Sequence, residues 1–140
     1  MHLMEAFRRA GCRVKWLRST WMEKFFGPKW LIAGARRFQP DMLFLYTHLP
    51  PLPMVEALLA DGIPMLFFLP SIHREPEPEI LDLARKSTIF FINSQGQLDF
   101  FREAGCQDVR FLTQGFDPGT HYPDPNPHPR WLSEVAFIGK

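Results

Sequence analysis

Short, continuous apolar runs alternate along this chain with stretches whose apolar positions recur every three or four residues, and the second kind always separates two of the first. Thr88 to Ile92 is a run of β-branched and aromatic residues without polar alternation, which predicts a strand buried on both faces. Ser94 follows where an N-cap belongs, with Gln97 as its capping-box partner, and Leu98, Phe101 and Ala104 share one helical face. Gly105 stands where a helix ends in the left-handed region, and Val109 to Leu112 opens the next apolar run, closing in Thr113, Gln114 and Gly115. Strand, helix, strand is a βαβ unit, and parallel strands require such crossovers.

The same rhythm runs through the rest of the chain. Leu3, Phe7 and Ala10 predict a helix over His2 to Ala10 that closes at Gly11, with a strand expected from Cys12 to Leu17. The corner Ala6-Phe-Arg-Arg-Ala-Gly-Cys12 echoes Phe100-Phe-Arg-Glu-Ala-Gly-Cys106. Gly27-Pro28 interrupts the aromatic-rich stretch from Trp21 to Phe38 and predicts a turn, then a helix with proline at its first position, ended by Pro40-Asp41. Met42 to Thr47 and Met65 to Leu69 read as buried strands. Pro53 to Ala60, with Val55, Leu58 and Leu59 inward, and the stretch marked by Ile80, Leu81 and Ala84 read as helices. The fold class is therefore α/β, a Rossmann-like parallel sheet with flanking helices. A strand ahead of the first helix is expected and absent, so Met1 is read as an internal methionine of a longer protein.

With 140 residues and 46% hydrophobic content, the chain suits one globular domain. Most of its fourteen prolines punctuate element boundaries, and only Pro123 to Pro129 reads as a linker. No apolar run approaches the roughly 20 residues of a spanning helix, residues 1 to 10 lack a signal-peptide core, and two cysteines give no disulfide framework, so a cytoplasmic setting is expected. A near-neutral total hides an asymmetry: up to Gln39 there are nine Lys or Arg against Glu5 and Glu23, and seven against thirteen acids beyond it. Such a basic third arises from solvated helix faces, or it allows peripheral association with anionic membrane. No nucleic-acid-binding motif accompanies it.

Ligands of parallel α/β sheets gather at the carboxyl ends of the strands. The loops His48 to Leu52, Pro70 to Glu75, Asn93 to Gly96 and Gln114 to His121 fall there. Asn93 and Ser94 combine a strand end with a helix start, where free N–H groups suit phosphate or carboxylate; the simpler account of Ser94 is that it caps its helix. Neither C-x-x-C nor H-x-x-x-H spacing occurs, so no metal site is expected, and no P-loop, nucleophile elbow or G-x-G-x-x-G is present.

Several of these stretches together resemble a family. Arg37-Phe-Gln-Pro-Asp-Met-Leu-Phe44, Gly62-Ile-Pro-Met-Leu66 and Phe111-Leu-Thr-Gln-Gly-Phe-Asp-Pro118 with Tyr122-Pro123 resemble the strand approaches and domain junction of GT-B fold glycosyltransferases. Glu134-Val-Ala-Phe-Ile-Gly-Lys140 resembles the first strand of their second domain, and the closest subgroup is the spore-maturation CgeB-like one. The resemblance implies sugar transfer from a nucleotide diphosphate donor to an acceptor, without a metal or other cofactor. It implies an acceptor-side domain over 1–122, an interdomain linker over 123–133, and over 134–140 the start of a donor-binding domain that continues elsewhere. His73 lies where the family's histidine faces the cleft and would act as base or orient an acceptor hydroxyl, although Arg74 and Glu75 replace the usual acids. His48 holds the corresponding place one crossover earlier. Gly115 would permit an unusual backbone angle or close approach of a ligand at the junction, and Gly139 and Lys140 would begin the donor-phosphate loop. On this reading the 140 residues alone are inactive. A flavodoxin-like interaction or regulatory domain without catalysis is the alternative.

Overall fold

A computed structural model describes residues 2–17, 27–46, 50–71, 76–115, 118–119 and 124–133. Their elements run α1 (His2–Arg9), α2 (Pro28–Phe38), β1 (Leu43–Tyr46), α3 (Leu52–Ala60), β2 (Met65–Leu69), α4 (Pro78–Lys86), β3 (Ile89–Ile92), a 3-10 turn (Gln95–Gln97), α5 (Leu98–Glu103), β4 (Val109–Phe111) and a second 3-10 turn (Pro129–Trp131). The four strands form one sheet in the order β1-β2-β3-β4, parallel throughout. The expected α/β, Rossmann-like class is what the chain forms.

Strand order dictates the layering. Crossovers between parallel strands turn right-handed, and when each new strand is added on the same side, every crossover helix falls on the same face. The register assigns Leu43, Leu45, Met65, Phe67, Leu69, Phe90, Ile92 and Val109 to one face, and Phe44, Tyr46, Leu66, Phe68, Ile89 and Phe91 to the other. The buried core joins the first set to Leu31 and Ala35 of α2, Met54, Val55 and Leu58 of α3, Ile80, Leu83 and Ala84 of α4 and Phe101 of α5, and contains none of the second set. At its centre Phe90 lies between Phe67 and Phe101, with ring centroids 5.2 and 4.8 Å away.

The second face is covered less completely, which corrects the expectation that Thr88 to Ile92 is buried on both sides. Ile89 and Phe91 are half-buried while Phe90 and Ile92 are fully buried. Over β1 that face meets α1, where Phe7 packs edge-on against Phe44 at 5.3 Å.

The echoed corners are the same structure twice. Gly11 and Gly105 both have positive φ, 84° and 94°. Around them Cys12 N–H donates to Phe7 O and Gly11 N–H to Arg8 O, as Cys106 N–H does to Phe101 O and Gly105 N–H to Arg102 O, all at 2.9 to 3.0 Å. That pair of bonds is the Schellman motif, closed by a residue for which only glycine is unstrained. Beyond the two corners the chain diverges. Residues 106–111 lead into β4, whereas 12–17, expected as a strand, pair with no strand among the described residues. Arg13 Nη2 and Lys15 Nζ donate from this segment to Phe38 O (3.1 Å), the last carbonyl of α2, and to Gly34 O one turn earlier (2.8 Å), and both cations lie over the Phe38 ring. Side chains instead of a ladder tie this segment to α2.

Ion pairs brace the helical layer. Arg36 makes a two-pronged contact with Asp61 at 2.7 and 2.9 Å, and Lys86 bridges Glu56 (3.0 Å) and Asp82 (2.6 Å). No helix among the described residues is long and apolar enough to cross a membrane.

Two consequences are measurable. Phe101→Ala, which empties a fully buried site against Phe90, is expected to cost roughly 3–5 kcal/mol in urea unfolding, whereas Phe100→Ala, at an exposed ring, changes stability little. The Arg36 hydrogen bonds hold the Asp61 carboxyl below its ordinary range. The stabilisation is therefore present above the unfolded carboxylate pKa and is lost as pH falls through the lower folded value. Asp61→Asn is expected to lower Tm at pH 7 and to make no difference near pH 2, and an equal loss at both pH values would contradict the ion pair.

Candidate functional site

The carboxyl ends of β2, β3 and β4 meet at one backbone oxygen. Pro70 follows β2, and its carbonyl accepts from Asn93 Nδ2 at 3.5 Å and from Gln114 Nε2 at 3.4 Å. Backbone bonds place these side chains: Asn93 N–H donates to Leu69 O at 3.3 Å, which carries the β2–β3 ladder one step past the strand end. Leu112 N–H donates to Ile92 O at 3.0 Å and does the same for β3–β4. The ladder thus outlasts the helices' cover and delivers two primary amides side by side at the rim. Asn93 is half-buried and Gln114 exposed. Each amide engages one N–H weakly, and among the described residues its second N–H and carbonyl oxygen make no further hydrogen bond.

Of the residues singled out in the sequence, Asn93 stands at this junction and Ser94 beside it. The Ser94 hydroxyl makes no capping bond, contrary to expectation, and the physical reason is local. The chain enters α5 through the 3-10 turn Gln95–Gln97, so the Gln97 N–H is taken by the Ser94 carbonyl at 3.3 Å instead of its side chain. Behind that turn α5 is only six residues long and has Asp99 in its first turn, itself paired with Arg102 at 2.9 Å. A short dipole with an acid already at its positive end offers little to a phosphate.

Gly115 is exposed and follows Gln114 directly. Its φ lies outside the left-handed region, and a Cβ added there would meet nothing within 4 Å. Among the described residues neither backbone conformation nor a neighbouring group therefore requires glycine, and the expected unusual backbone angle is not found. His48, His73, Gly139 and Lys140 lie outside the described residues. So does the stretch 134–140, while residues 124–130 are exposed throughout and hold one local Asx contact, Asn126 N–H to Asp124 Oδ1 at 2.9 Å.

Gln114 was legible only as the polar end of an apolar run, and the Pro70 carbonyl not at all, since a backbone acceptor leaves no trace in residue type. Among the described residues no group of three or more His, Cys, Asp and Glu side chains is placed to hold a metal ion. Cys106 is buried and its thiol is pushed above the ordinary range by that burial, which suits a packing role; Cys12 is exposed.

A cavity of about 270 Å³ lies elsewhere, along β1, lined by α1, residues 12–17, the end of α2, β1 and α3. Its walls are mostly apolar and include Leu3, Phe7, Trp16, Phe44, Tyr46 and Met54.

Comparison with protein-family profiles, with curated proteins and with solved structures finds no match to this chain.

Proposed function

We propose that this chain is the acceptor-side lobe of a GT-B glycosyltransferase of the CgeB-like kind, in which a sugar passes from a nucleotide diphosphate donor to an acceptor hydroxyl. The observation that carries the reading is the pairing of Asn93 and Gln114 on the Pro70 carbonyl at the carboxyl rim of a parallel sheet. Planar amides with spare donors and acceptors suit a polyhydroxyl acceptor, because each hydroxyl both gives and receives a hydrogen bond. The passage Phe111 to Pro118, which resembles the family's domain junction, leaves the sheet from this same rim at β4.

In this reading Asn93, Ser94 and Gln114 orient the acceptor, and Gly115 leaves room where the two lobes face each other. His73 takes the proton from the attacking hydroxyl, with His48 lining the same cleft. Gly139 and Lys140 begin the loop that meets the donor's diphosphate, Lys140 as a point charge on an oxygen of the leaving group. No metal or other cofactor is required, because basic side chains and backbone dipoles stabilise the departing diphosphate. The setting is cytoplasmic. Peripheral contact with anionic lipid would fall to basic residues of the first third that hold nothing within the chain; Arg13, Lys15 and Arg36 are engaged, whereas Lys29 and Arg37 make no ion pair among the described residues.

The test uses a longer protein in which these residues are followed by a second domain, assayed for nucleoside diphosphate release from a panel of nucleotide sugars. Transfer is expected there and none from the 140 residues alone. Asn93→Ala and Gln114→Ala should each raise the acceptor KM about tenfold with Tm nearly unchanged. Release from no donor in the panel, or variants that fail only by unfolding, would remove the reading and leave the non-catalytic alternative. Lys29 and Arg37 replaced together by Gln should weaken co-sedimentation with phosphatidylserine vesicles; binding indifferent to anionic lipid removes the membrane part alone.

A further inference from the structure

The cavity along β1 shares no residue with the amide rim. Leu3, Met4 and Phe7 of α1 wall it on the sheet face that carries Phe44, and Ala35, Met54 and Leu58 of α2 and α3 wall it on the opposite face. Its volume of about 270 Å³ stands just under the range of small-molecule sites, about 300–1,000 Å³. That size suits a slender ligand. Leu3, Trp16, Met42 and Tyr46 are exposed large apolar side chains, and all four line it. Apolar surface gathered in one place marks a surface that binds something.

Of the described residues that line the cavity, only Arg13 and Lys15 carry charge. The two are close together, since both cations lie over the Phe38 ring, 4.7 and 5.8 Å from its centroid. Their hydrogen bonds to Phe38 O and Gly34 O hold them in place without neutralising them, because a carbonyl carries no net charge. Among the described residues no carboxylate pairs with either, whereas Arg8, Arg9, Arg36, Lys86, Arg102 and Arg110 all have acidic partners. A guanidinium has five N–H donors and an ammonium three, so one bond to a carbonyl leaves most of them for a ligand. An apolar cavity with two adjacent uncompensated cations in its wall is complementary to an anionic amphiphile. An alkyl chain displaces water from such walls at no polar cost, whereas a peptide brings an N–H and a C=O with nearly every residue, each needing a partner.

We propose that this cavity binds a phosphate monoester of a single alkyl chain, the chain lying against Phe7, Phe44 and Met54 and the phosphate on Arg13 and Lys15. A phosphate monoester approaches two negative charges at neutral pH, which two cations match. The Arg13 guanidinium serves as a two-pronged donor and the Lys15 ammonium as a point charge. Sugar transfer has no part in the inference, and because the two sites share no residue the two readings fail separately.

Decyl phosphate, titrated below its micelle concentration into the 140-residue chain and followed by amide NMR, tests it. Saturable binding of one ligand per chain is expected, with shifts at the amides of residues 12–17 and 43–46 and none at the Phe90 amide, which is bonded to Asp108 O at 2.8 Å in the core. Decanol, the tail without the head, is expected to move the same amides with at least about tenfold lower affinity, and inorganic phosphate, the head without the tail, to bind far more weakly than decyl phosphate. Arg13→Gln together with Lys15→Gln should bring decyl phosphate down to the affinity of decanol. No saturable binding, equal affinity for decyl phosphate and decanol, inorganic phosphate bound as tightly as decyl phosphate, or an unaffected double variant would each overturn the proposal, as would shifts spread through the core as the chain unfolds. Should the double variant not fold, salt takes its place: added NaCl must weaken decyl phosphate and leave decanol unchanged, and an affinity for decyl phosphate indifferent to salt overturns the proposal.

Discussion

Right-handed crossover between parallel strands is the constraint on which the rest of this structure depends. Because β1, β2, β3 and β4 are added in sequence order, α3, α4 and α5 pack on one side of the sheet, and α2 joins them there. One face is then covered by a continuous core running from Leu31 to Val109, with Phe67, Phe90 and Phe101 packed ring against ring at its centre. On the other face the helix packed among the described residues is α1, over β1, and Phe68 is buried there while Ile89 and Phe91 are half-buried. A doubly wound sheet normally resolves this imbalance by reversing strand order partway along, and among the described residues no reversal occurs.

The elements were legible because their signals are local. Apolar runs bounded by glycine and proline identify β1 to β4, and three-and-four spacing identifies α1 to α5, including the Pro28 start of α2 and the glycine corners after α1 and α5. The misreadings arose where a local signal is ambiguous about partners. Cys12 to Leu17 has the residue types and the preceding corner of a strand, but a strand is a relation between two segments, and its alternating Arg13 and Lys15 cap α2 instead. Within the run Thr88 to Ile92 the residues Ile89 to Ile92 are all apolar and do not distinguish a half-covered face from a sealed one, so periodicity could not report that Phe90 and Phe91 have different surroundings. Ser94 and Gln97 have capping-box spacing, yet a 3-10 entrance to α5 shifts the hydrogen bond to a backbone oxygen.

The candidate site was legible to a different depth. Its location followed from the carboxyl-end rule, and Asn93 followed from the strand end it occupies. The focus of the site is a proline carbonyl, and recognising it needed the register that brings Leu69, Ile92 and Leu112 into line, a three-dimensional fact. Gln114 reaches that carbonyl two residues beyond Leu112, whose N–H is laddered to Ile92 O. Gly115 gives the opposite lesson, since a glycine at a turn invites a conformational explanation that its ordinary φ and open surroundings withhold.

The cavity along β1 and the amide rim are linked through one face of the sheet. Tyr46 ends β1, lines the cavity and lies on the same face as Phe68, with ring centroids 5.7 Å apart. Phe68 in turn stands two residues before Pro70, the carbonyl that gathers Asn93 and Gln114. The Tyr46 and Phe68 rings constrain each other by direct contact, because packed aromatic rings leave little free volume to absorb a displacement. The rim that presents the two amides is therefore only as rigid as the sheet behind it. Among the described residues β1 pairs with β2 alone, so the positioning of the rim rests on the ladder that runs from β1 through β2 and β3 to β4.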